Sequence, residues 1–245
     1  MKISDSRKKE LLQFLHNNNL LCDNLELLNK ALTHSSYTNE HNLSSSENYE
    51  RLEFFGDAVL KLISSKYLYE KFEDYDEGEL SKIRAALISD NTLAKFALKI
   101  NLGEYMIFGP AEKKLGGEKR KSSLACAFEA LLGALYLDNK EEITKNFLLK
   151  FISEETPYIE SHLIQLNAKS TLQEYTQEKY KTLPEYKIIN ETGPAHKKTF
   201  EIQIKINGEI ISTATGDSKK QAQQNAAYLA LEKLGLLKEE NEQNV

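Results

Sequence analysis

The spacing of apolar residues changes near residue 165, and no other feature of the sequence constrains the fold as strongly. In residues 1–160, apolar positions recur three and four apart, as in "NLELLNKALTHSS", which is the spacing of amphipathic helices. In "KTFEIQIKING", apolar and polar residues instead alternate, as in a strand with one buried face. Asn207-Gly208 then predicts a tight hairpin. The sequence therefore predicts a mainly α domain followed by a small α+β domain of order α-β-β-β-α.

The balance of charge changes at the same place. Residues 165–238 carry 11 lysines and 8 acidic residues, whereas residues 1–164 carry 21 basic and 26 acidic residues. Such a change indicates two domains with different tasks. We expect the first domain to span residues 1–160 and the second residues 165–237, followed by a polar tail, residues 238–245.

Nothing in the sequence indicates a membrane span or export. No run of about 18 apolar residues occurs, and the amino terminus lacks the apolar core of a signal peptide. The two cysteines, Cys22 and Cys126, follow no metal-finger spacing. We therefore expect a cytoplasmic protein with reduced thiols and no membrane partner.

An acidic stripe runs through "NYERLEFFGDAVLKLI". On a helix with 100° per residue, Glu50, Glu53 and Asp57 fall within an arc of about 60°. Like charges three and four residues apart repel by about 0.2–0.5 kcal/mol per pair, and burial raises that cost unless a cation neutralises them. Because apolar residues flank the stripe, we expect a cation there. The alternative is a helical scaffold in which the stripe is a solvated face.

The only charged residue before the end of "SLACAFEALLGALYLD" is Glu129. Its carboxylate could meet a lysine or a backbone donor, or complete a carboxylate cage with Glu53 and Asp57. Mg²⁺ takes one or two carboxylates and leaves room for a substrate phosphate, and it can lower the pKa of a bound water. Gly56 and Gly133 could let the two helices approach closely enough. Metal-dependent chemistry on a phosphate is the hypothesis that follows.

These motifs together resemble the ribonuclease III family. "ERLEFFGDAVL" is similar to the signature of the family, and "ALTHSSYTNE", "EGELSKIRAALIS" and "AFEALLGALYLD" stand in the family's order. The second domain resembles its double-stranded-RNA-binding domain, so the resemblance covers residues 8–236. It implies a Mg²⁺-dependent endoribonuclease, with Mn²⁺ as a possible substitute, that cuts double-stranded RNA to 5′-phosphate and 3′-hydroxyl products. Processing of ribosomal and small-RNA precursors and RNA decay are the tasks it implies.

The resemblance also implies roles for individual acidic residues. Glu53 and Asp57 match the metal ligands on the signature helix, and Glu129 matches the essential glutamate of the later helix. Glu50 matches an accessory acid near the cleft, and so does Glu77 in "YDEGELS". We therefore expect these five side chains to form the catalytic site.

A homodimer of the nuclease domain is a further implication of the resemblance, with one cleavage site for each RNA strand. Phe54, beside the acidic stripe, resembles the aromatic residue that inserts into the partner subunit. The alternative for Phe54 is ordinary core packing within its own chain.

One position departs from the pattern of the family. An aspartate often stands three residues before the essential glutamate, and here that position is Cys126. Its side chain shares a helix face with Glu129, but a thiol is a soft ligand and a poor match for Mg²⁺. We expect weaker Mg²⁺ binding, or a water in the gap, rather than inactivity. The alternative is a dimer that binds double-stranded RNA without cutting it.

Three groups of residues in the second domain match the RNA-facing regions of the family's binding domain. Such domains recognise A-form shape through 2′-hydroxyls and phosphates, so we expect strongly salt-dependent binding. Lysines oppose the dipole at a helix N-terminus, which favours a phosphate contact there, although solubility is an alternative explanation. The matching residues are Ser170, Gln173 and Glu174 on the first helix, His196, Lys197 and Lys198 between the first two strands, and Lys219 and Lys220 at the start of the last helix.

Overall fold

The computed structural model describes residues 3–194 and 198–237. The chain forms two compact units that divide between Pro157 and Tyr158. The first unit is helical, and the second contains a three-stranded sheet. The predicted fold class, a mainly α domain followed by a small α+β domain, is confirmed. The predicted domain limits stay a prediction, and the predicted polar tail lies outside the described residues.

The described part of the first unit is built from α-helices and two short 3-10 helices. The 3-10 helices are Ser45–Glu47 and Gly117–Lys119. None of the helices in the described ranges has the length and apolar character that crossing a membrane requires. The α-helices are α1 Asp5–Asn17, α2 Leu25–Ala31, α3 Ser35–Glu40, α4 Glu50–Lys71, α5 Glu77–Leu87, α6 Asp90–Lys99, α7 Leu102–Tyr105, α8 Pro110–Lys114, α9 Lys121–Leu137 and α10 Glu141–Ser161, of which the part from Tyr158 belongs to the second unit.

Side-chain caps determine where the helices near the predicted site begin. The Asp76 side chain accepts the backbone N–H of Glu79, whose carboxylate accepts the N–H of Asp76 in return, and this capping box starts α5. The Ser89 side chain accepts the N–H of Thr92 and starts α6. Without such caps, the first N–H groups of a helix have no intrahelical partner. Both helix starts are therefore encoded locally.

Helices α4 and α9 cross at a pair of glycines. A Cβ atom at Gly56 would overlap the carbonyl oxygen of Glu129, and one at Gly133 would lie 2.5 Å from the carbonyl oxygen of Leu52. Only glycine lets the two backbones approach this closely. The predicted close approach of the two helices is confirmed.

The second unit has the predicted order α-β-β-β-α. Its sheet is antiparallel with strand order β1-β2-β3, and Asn207 and Gly208 in the hairpin have φ of 52° and 84°, as such turns require. The inward side of β2 packs against alanines of the last helix in a buried core. The elements are α11 Leu163–Tyr180, β1 Glu185–Thr192, β2 Thr199–Ile206, β3 Glu209–Gly216 and α12 Lys219–Lys233.

Candidate metal centre and nucleic-acid interface

The crossing of α4 and α9 brings three of the predicted metal ligands together. Glu53 and Asp57 on α4 are half-buried, and they act electrostatically on Glu129 of α9. Burial, followed by the charges of Asp57 and Glu53, raises the pKa of Glu129 to about 8. Burial also raises the pKa of Glu53. The three carboxylates therefore form a cluster in which the charges of Asp57 and Glu53 make ionisation of Glu129 less favourable.

Cys126 faces this cluster, as its position one turn before Glu129 predicts. Burial, together with a hydrogen bond to Glu53 and the neighbouring carboxylates, raises the pKa of its thiol to about 12. The thiol is therefore protonated at neutral pH and donates its hydrogen bond to the Glu53 carboxylate. In this form Cys126 adds no negative charge to the cluster.

Two charged residues of the cluster were missed by sequence reasoning. Lys61 lies one turn after Asp57, and its Nζ donates to the Asp57 carboxylate at 2.7 Å. Asp90, the first residue of α6, adds its negative charge to those that raise the pKa of Glu53 and Glu129. The spacing of four residues could have identified Lys61. Asp90 reads as an ordinary acidic residue in the first turn of a helix.

The two predicted accessory acids lie in different surroundings. Glu50 is exposed at the start of α4, where its backbone N–H donates to the Asn48 side chain, and its charge contributes to the raised pKa of Glu53. Glu77 is exposed at the start of α5 and accepts a hydrogen bond from the Ser81 hydroxyl at 2.8 Å. The structure thus brings Glu50 to the cluster, whereas Glu77 is not among the principal charges that act on Glu53.

The donor set fits a hard divalent cation, although the ligands are not arranged as a finished site. Within the residues that the structure describes, no group of three or more His, Cys, Asp or Glu side chains is placed to hold a metal ion. Carboxylate oxygens are nevertheless the donors that Mg²⁺ prefers. A cation held by Glu53, Asp57 and Glu129 would also offset the effects of burial and of like charge that raise the pKa of Glu129.

Phe54 lies on the surface of α4, with 82% of its area exposed. The alternative of ordinary core packing is therefore wrong for the single chain. Beside it is a groove of about 660 Å³ whose apolar lining includes Leu27, Leu52, Phe55 and Leu137. Phe54 and the groove together form an exposed apolar patch, the kind of surface that marks an interaction site.

In the second unit, the structure brings two of the predicted RNA-binding lysines together. Lys198, just before β2, and Lys219, at the start of α12, each lie 3.3 Å from the carboxylate of Glu191. Lys220 is exposed beside Lys219. The predicted residues His196 and Lys197 lie outside the described residues.

The predicted contacts on α11 share one helix face, since Ser170, Gln173 and Glu174 are three and four residues apart. A neighbour that sequence reasoning missed, Lys169, connects this helix to α12. Its backbone N–H donates to the Gln224 side chain and its Nζ to the Gln223 side chain, both at 2.8 Å. These two bonds fix α11 relative to α12, and so the predicted contacts on one helix relative to those on the other.

Both units match known families. Residues 24–156 match the family model described as ribonuclease-III-like, and residues 168–234 match the double-stranded RNA binding motif. The chain belongs to the ribonuclease III family. The predicted resemblance is thereby confirmed, and the chain is an endoribonuclease that acts on double-stranded RNA, in a family that generally depends on divalent metal.

Relatives match over nearly their whole length. Ribonuclease 3 of Treponema denticola is 40% identical over 232 residues, which cover 95% of this chain and 94% of the relative. Ribonuclease 3 of Listeria monocytogenes serovar 1/2a is 44% identical over 213 residues, covering 86% and 92%. Among solved structures, the nuclease domain of ribonuclease III from Campylobacter jejuni is similar with a TM-score of 0.54 and 39% identity, covering 59% of this chain and 97% of that one.

Proposed function

We propose that the enzyme cleaves double-stranded RNA with Mg²⁺, or with Mn²⁺ as a substitute, and leaves 5′-phosphate and 3′-hydroxyl ends. Glu53, Asp57 and Glu129 would hold the ion, which when bound lowers the pKa of a water and stabilises charge on a phosphoryl oxygen. The main support is the approach of three partly buried carboxylates across the α4–α9 crossing. Such an arrangement is costly for the fold unless a cation neutralises it.

The other residues of the cluster adjust this site. Cys126 donates a hydrogen bond to Glu53 and contributes no charge, and Lys61 neutralises part of the Asp57 charge. Both features weaken the attraction for a cation, whereas Asp90 strengthens it. We therefore propose weaker Mg²⁺ binding than a site with an aspartate at position 126 would have, without loss of activity. Glu50 and Glu77 would serve as accessory acids.

The second unit would bind the RNA duplex through its three predicted regions. Support comes from the shared face on α11, from its connection to α12 through Lys169, and from the exposed lysines at the start of α12. Lysines provide the phosphate contacts that make binding salt-dependent, and the polar side chains of α11 suit 2′-hydroxyl groups. The proposed RNA-binding residues are Ser170, Gln173, Glu174, His196, Lys197, Lys198, Lys219 and Lys220.

A homodimer through the nuclease unit would place two cleavage sites on one duplex. Exposure of Phe54 beside the apolar groove supports this, because the same surface on a second copy could receive the ring. We also propose, from membership of the family, a cytoplasmic role in processing ribosomal and small-RNA precursors and in RNA decay. The two cysteines, which are free thiols, suit that location.

The proposal is tested by incubating the purified chain with end-labelled long double-stranded RNA in Mg²⁺, Mn²⁺ or EDTA. A mobility shift in EDTA reports binding without cutting. Glu129→Gln removes one proposed ligand, and Glu73→Gln, at an exposed position outside the cluster, is the matched control. The 5′ ends of the products are identified with an exonuclease that requires a 5′-phosphate.

We expect the wild type and Glu73→Gln to cut only in the presence of metal. Glu129→Gln should bind RNA equally well and cut about 100-fold more slowly or worse, since each tenfold loss of rate corresponds to about 1.4 kcal/mol of lost transition-state stabilisation. A shifted duplex that stays intact in both metals would contradict the proposed chemistry and favour the alternative of an RNA-binding dimer.

A further inference from the structure

A carboxylate lies between two of the lysines proposed to contact RNA. Glu191, near the end of β1, has one carboxylate oxygen 3.3 Å from Nζ of Lys198 and the other 3.3 Å from Nζ of Lys219. The three residues come from three places in the second unit: the end of one strand, the approach to the next strand, and the first turn of α12. The Glu191 carboxylate therefore forms ion pairs with two lysines at once.

Lys219 is also held by contacts other than this ion pair. Its Nζ lies 5.4 Å from the centroid of the Phe200 ring, within the range of a cation–π interaction. The Ser218 hydroxyl accepts the backbone N–H of Gln221 and so fixes the first turn of α12, from which Lys219 projects. The ammonium group is thus held on the protein surface beside Glu191.

This ion pair contributes little to the stability of the fold. All three side chains are substantially exposed, and exposed ion pairs are weak because solvent screens them. Hydrogen bonds from Lys198 and then Lys219 lower the pKa of the Glu191 carboxyl, so its negative charge is retained at neutral pH. The effect of Glu191 is therefore to be sought in binding rather than in folding.

We propose that Glu191 is an internal counter-ion that restrains the binding of double-stranded RNA. The proposal rests on the proposed phosphate contacts of Lys198 and Lys219. An RNA phosphate that approaches these lysines must share them with the carboxylate or displace it, and the carboxylate repels the phosphate at short range. Glu191 thereby keeps the affinity for duplex below the level that the two lysines alone would give, and it speeds dissociation of the RNA.

The inference is tested by fluorescence anisotropy with the full chain in EDTA and a labelled RNA duplex of about 30 base pairs, which exceeds the span of one such domain. Binding is measured from about 50 to 300 mM KCl. Glu191→Gln removes the charge with little change of shape, and Glu191→Ser removes it in a second way. Glu185→Gln changes the net charge equally at the exposed other end of β1 and is the control.

Relative to Glu185→Gln, we expect Glu191→Gln and Glu191→Ser to bind the duplex about three- to tenfold more tightly at the lowest salt. The dependence of log K on log salt should be steeper by about one, because one more positive charge becomes available to release counter-ions. The gain should shrink as added salt screens the carboxylate. Thermal melts of all variants should coincide with that of the wild type.

A double variant, Lys198→Ala with Lys219→Ala, separates the two levels of the argument. It should bind RNA more weakly, and adding Glu191→Gln to it should give no gain beyond that of Glu185→Gln. If the double variant binds as tightly as the wild type, the proposed lysine contacts are wrong and the inference is wrong with them. If the lysines matter but the Glu191 variants bind no more tightly than the control, the contacts stand and the counter-ion role is refuted.

Discussion

Replacing Glu129 with glutamine is expected to stabilise the metal-free protein at alkaline pH. Burial, followed by the charges of Asp57 and Glu53, raises the pKa of the Glu129 carboxyl from 4.5 to about 8. When an acid has a higher pKa folded than unfolded, its contribution to stability is complete below the unfolded pKa and is lost as the pH rises through the folded pKa. Glutamine keeps the shape of the protonated acid at every pH, so the variant avoids that loss.

The size of the effect follows from the shift of the pKa. One pKa unit corresponds to about 1.4 kcal/mol, so a rise from 4.5 to about 8 sets an upper limit of about 5 kcal/mol above pH 8. Because Glu129 is only partly buried, solvent screening reduces the expected value to about 2 kcal/mol. Near pH 5 the folded carboxyl is protonated, so glutamine and the acid should give similar stability.

Urea unfolding in EDTA at pH 5 and pH 8, followed by circular dichroism, measures this difference. We expect Glu129→Gln to exceed the wild type in unfolding free energy at pH 8 but not at pH 5, with Glu73→Gln like the wild type at both. Added Mg²⁺ at pH 8 should reduce the advantage of the variant, because an ion that binds the folded wild type stabilises it. Equal stabilities at pH 8, or an equal difference at both pH values, would refute the electrostatic account of the cluster.

Three further experiments test other features of the nuclease unit. Phe54→Ala should weaken dimerisation at least about 100-fold in sedimentation equilibrium, because two rings leaving apolar surroundings cost about 3–6 kcal/mol. Leu21→Ala, which removes another exposed apolar side chain, should leave dimerisation unchanged. Equal dissociation constants for Phe54→Ala and the wild type would contradict the role of the ring. Burial raises the thiol pKa of Cys22 and of Cys126 to about 12. Both thiols should therefore react with a thiol reagent at pH 8 only after unfolding. Rapid reaction in the native state would show that they are not protonated there. Gly133→Ala should lower the unfolding free energy by about 1–3 kcal/mol, because its Cβ would lie 2.5 Å from a carbonyl oxygen of α4. This loss should outweigh the better helix propensity of alanine. Unchanged stability would mean that the two helices can move apart at little cost.

Local patterns predicted the elements of the fold well. In β2, Ile202, Ile204 and Ile206 are buried as the alternation with polar residues predicts, and the hairpin begins where Asn207-Gly208 stands. These features succeed because each is encoded within a few neighbouring residues. The carboxylate cluster was predicted from a helix stripe combined with an isolated glutamate and the resemblance to a family.

Residues whose role depends on tertiary packing could not be found in this way. Asp90 is far from Glu53 and Glu129 in sequence, and only the packing of α6 brings its charge to theirs. Glu191 reads as a polar residue on an edge strand until the fold places Lys219 beside it. The contact of Lys61 with Asp57 could have been predicted from the sequence, because a spacing of four residues is typical of an ion pair on a helix.

The glycine crossing of α4 and α9 also limits how the site can adapt. Main-chain atoms already touch at Gly56 and Gly133, so the two helices cannot come closer, and moving them apart would open the buried core around α9. Cations of different radius would therefore meet the same helix separation. If the proposed site holds a metal ion, selection among ions would come from rotation of its side chains and from the residue at position 126, which can change without moving either helix.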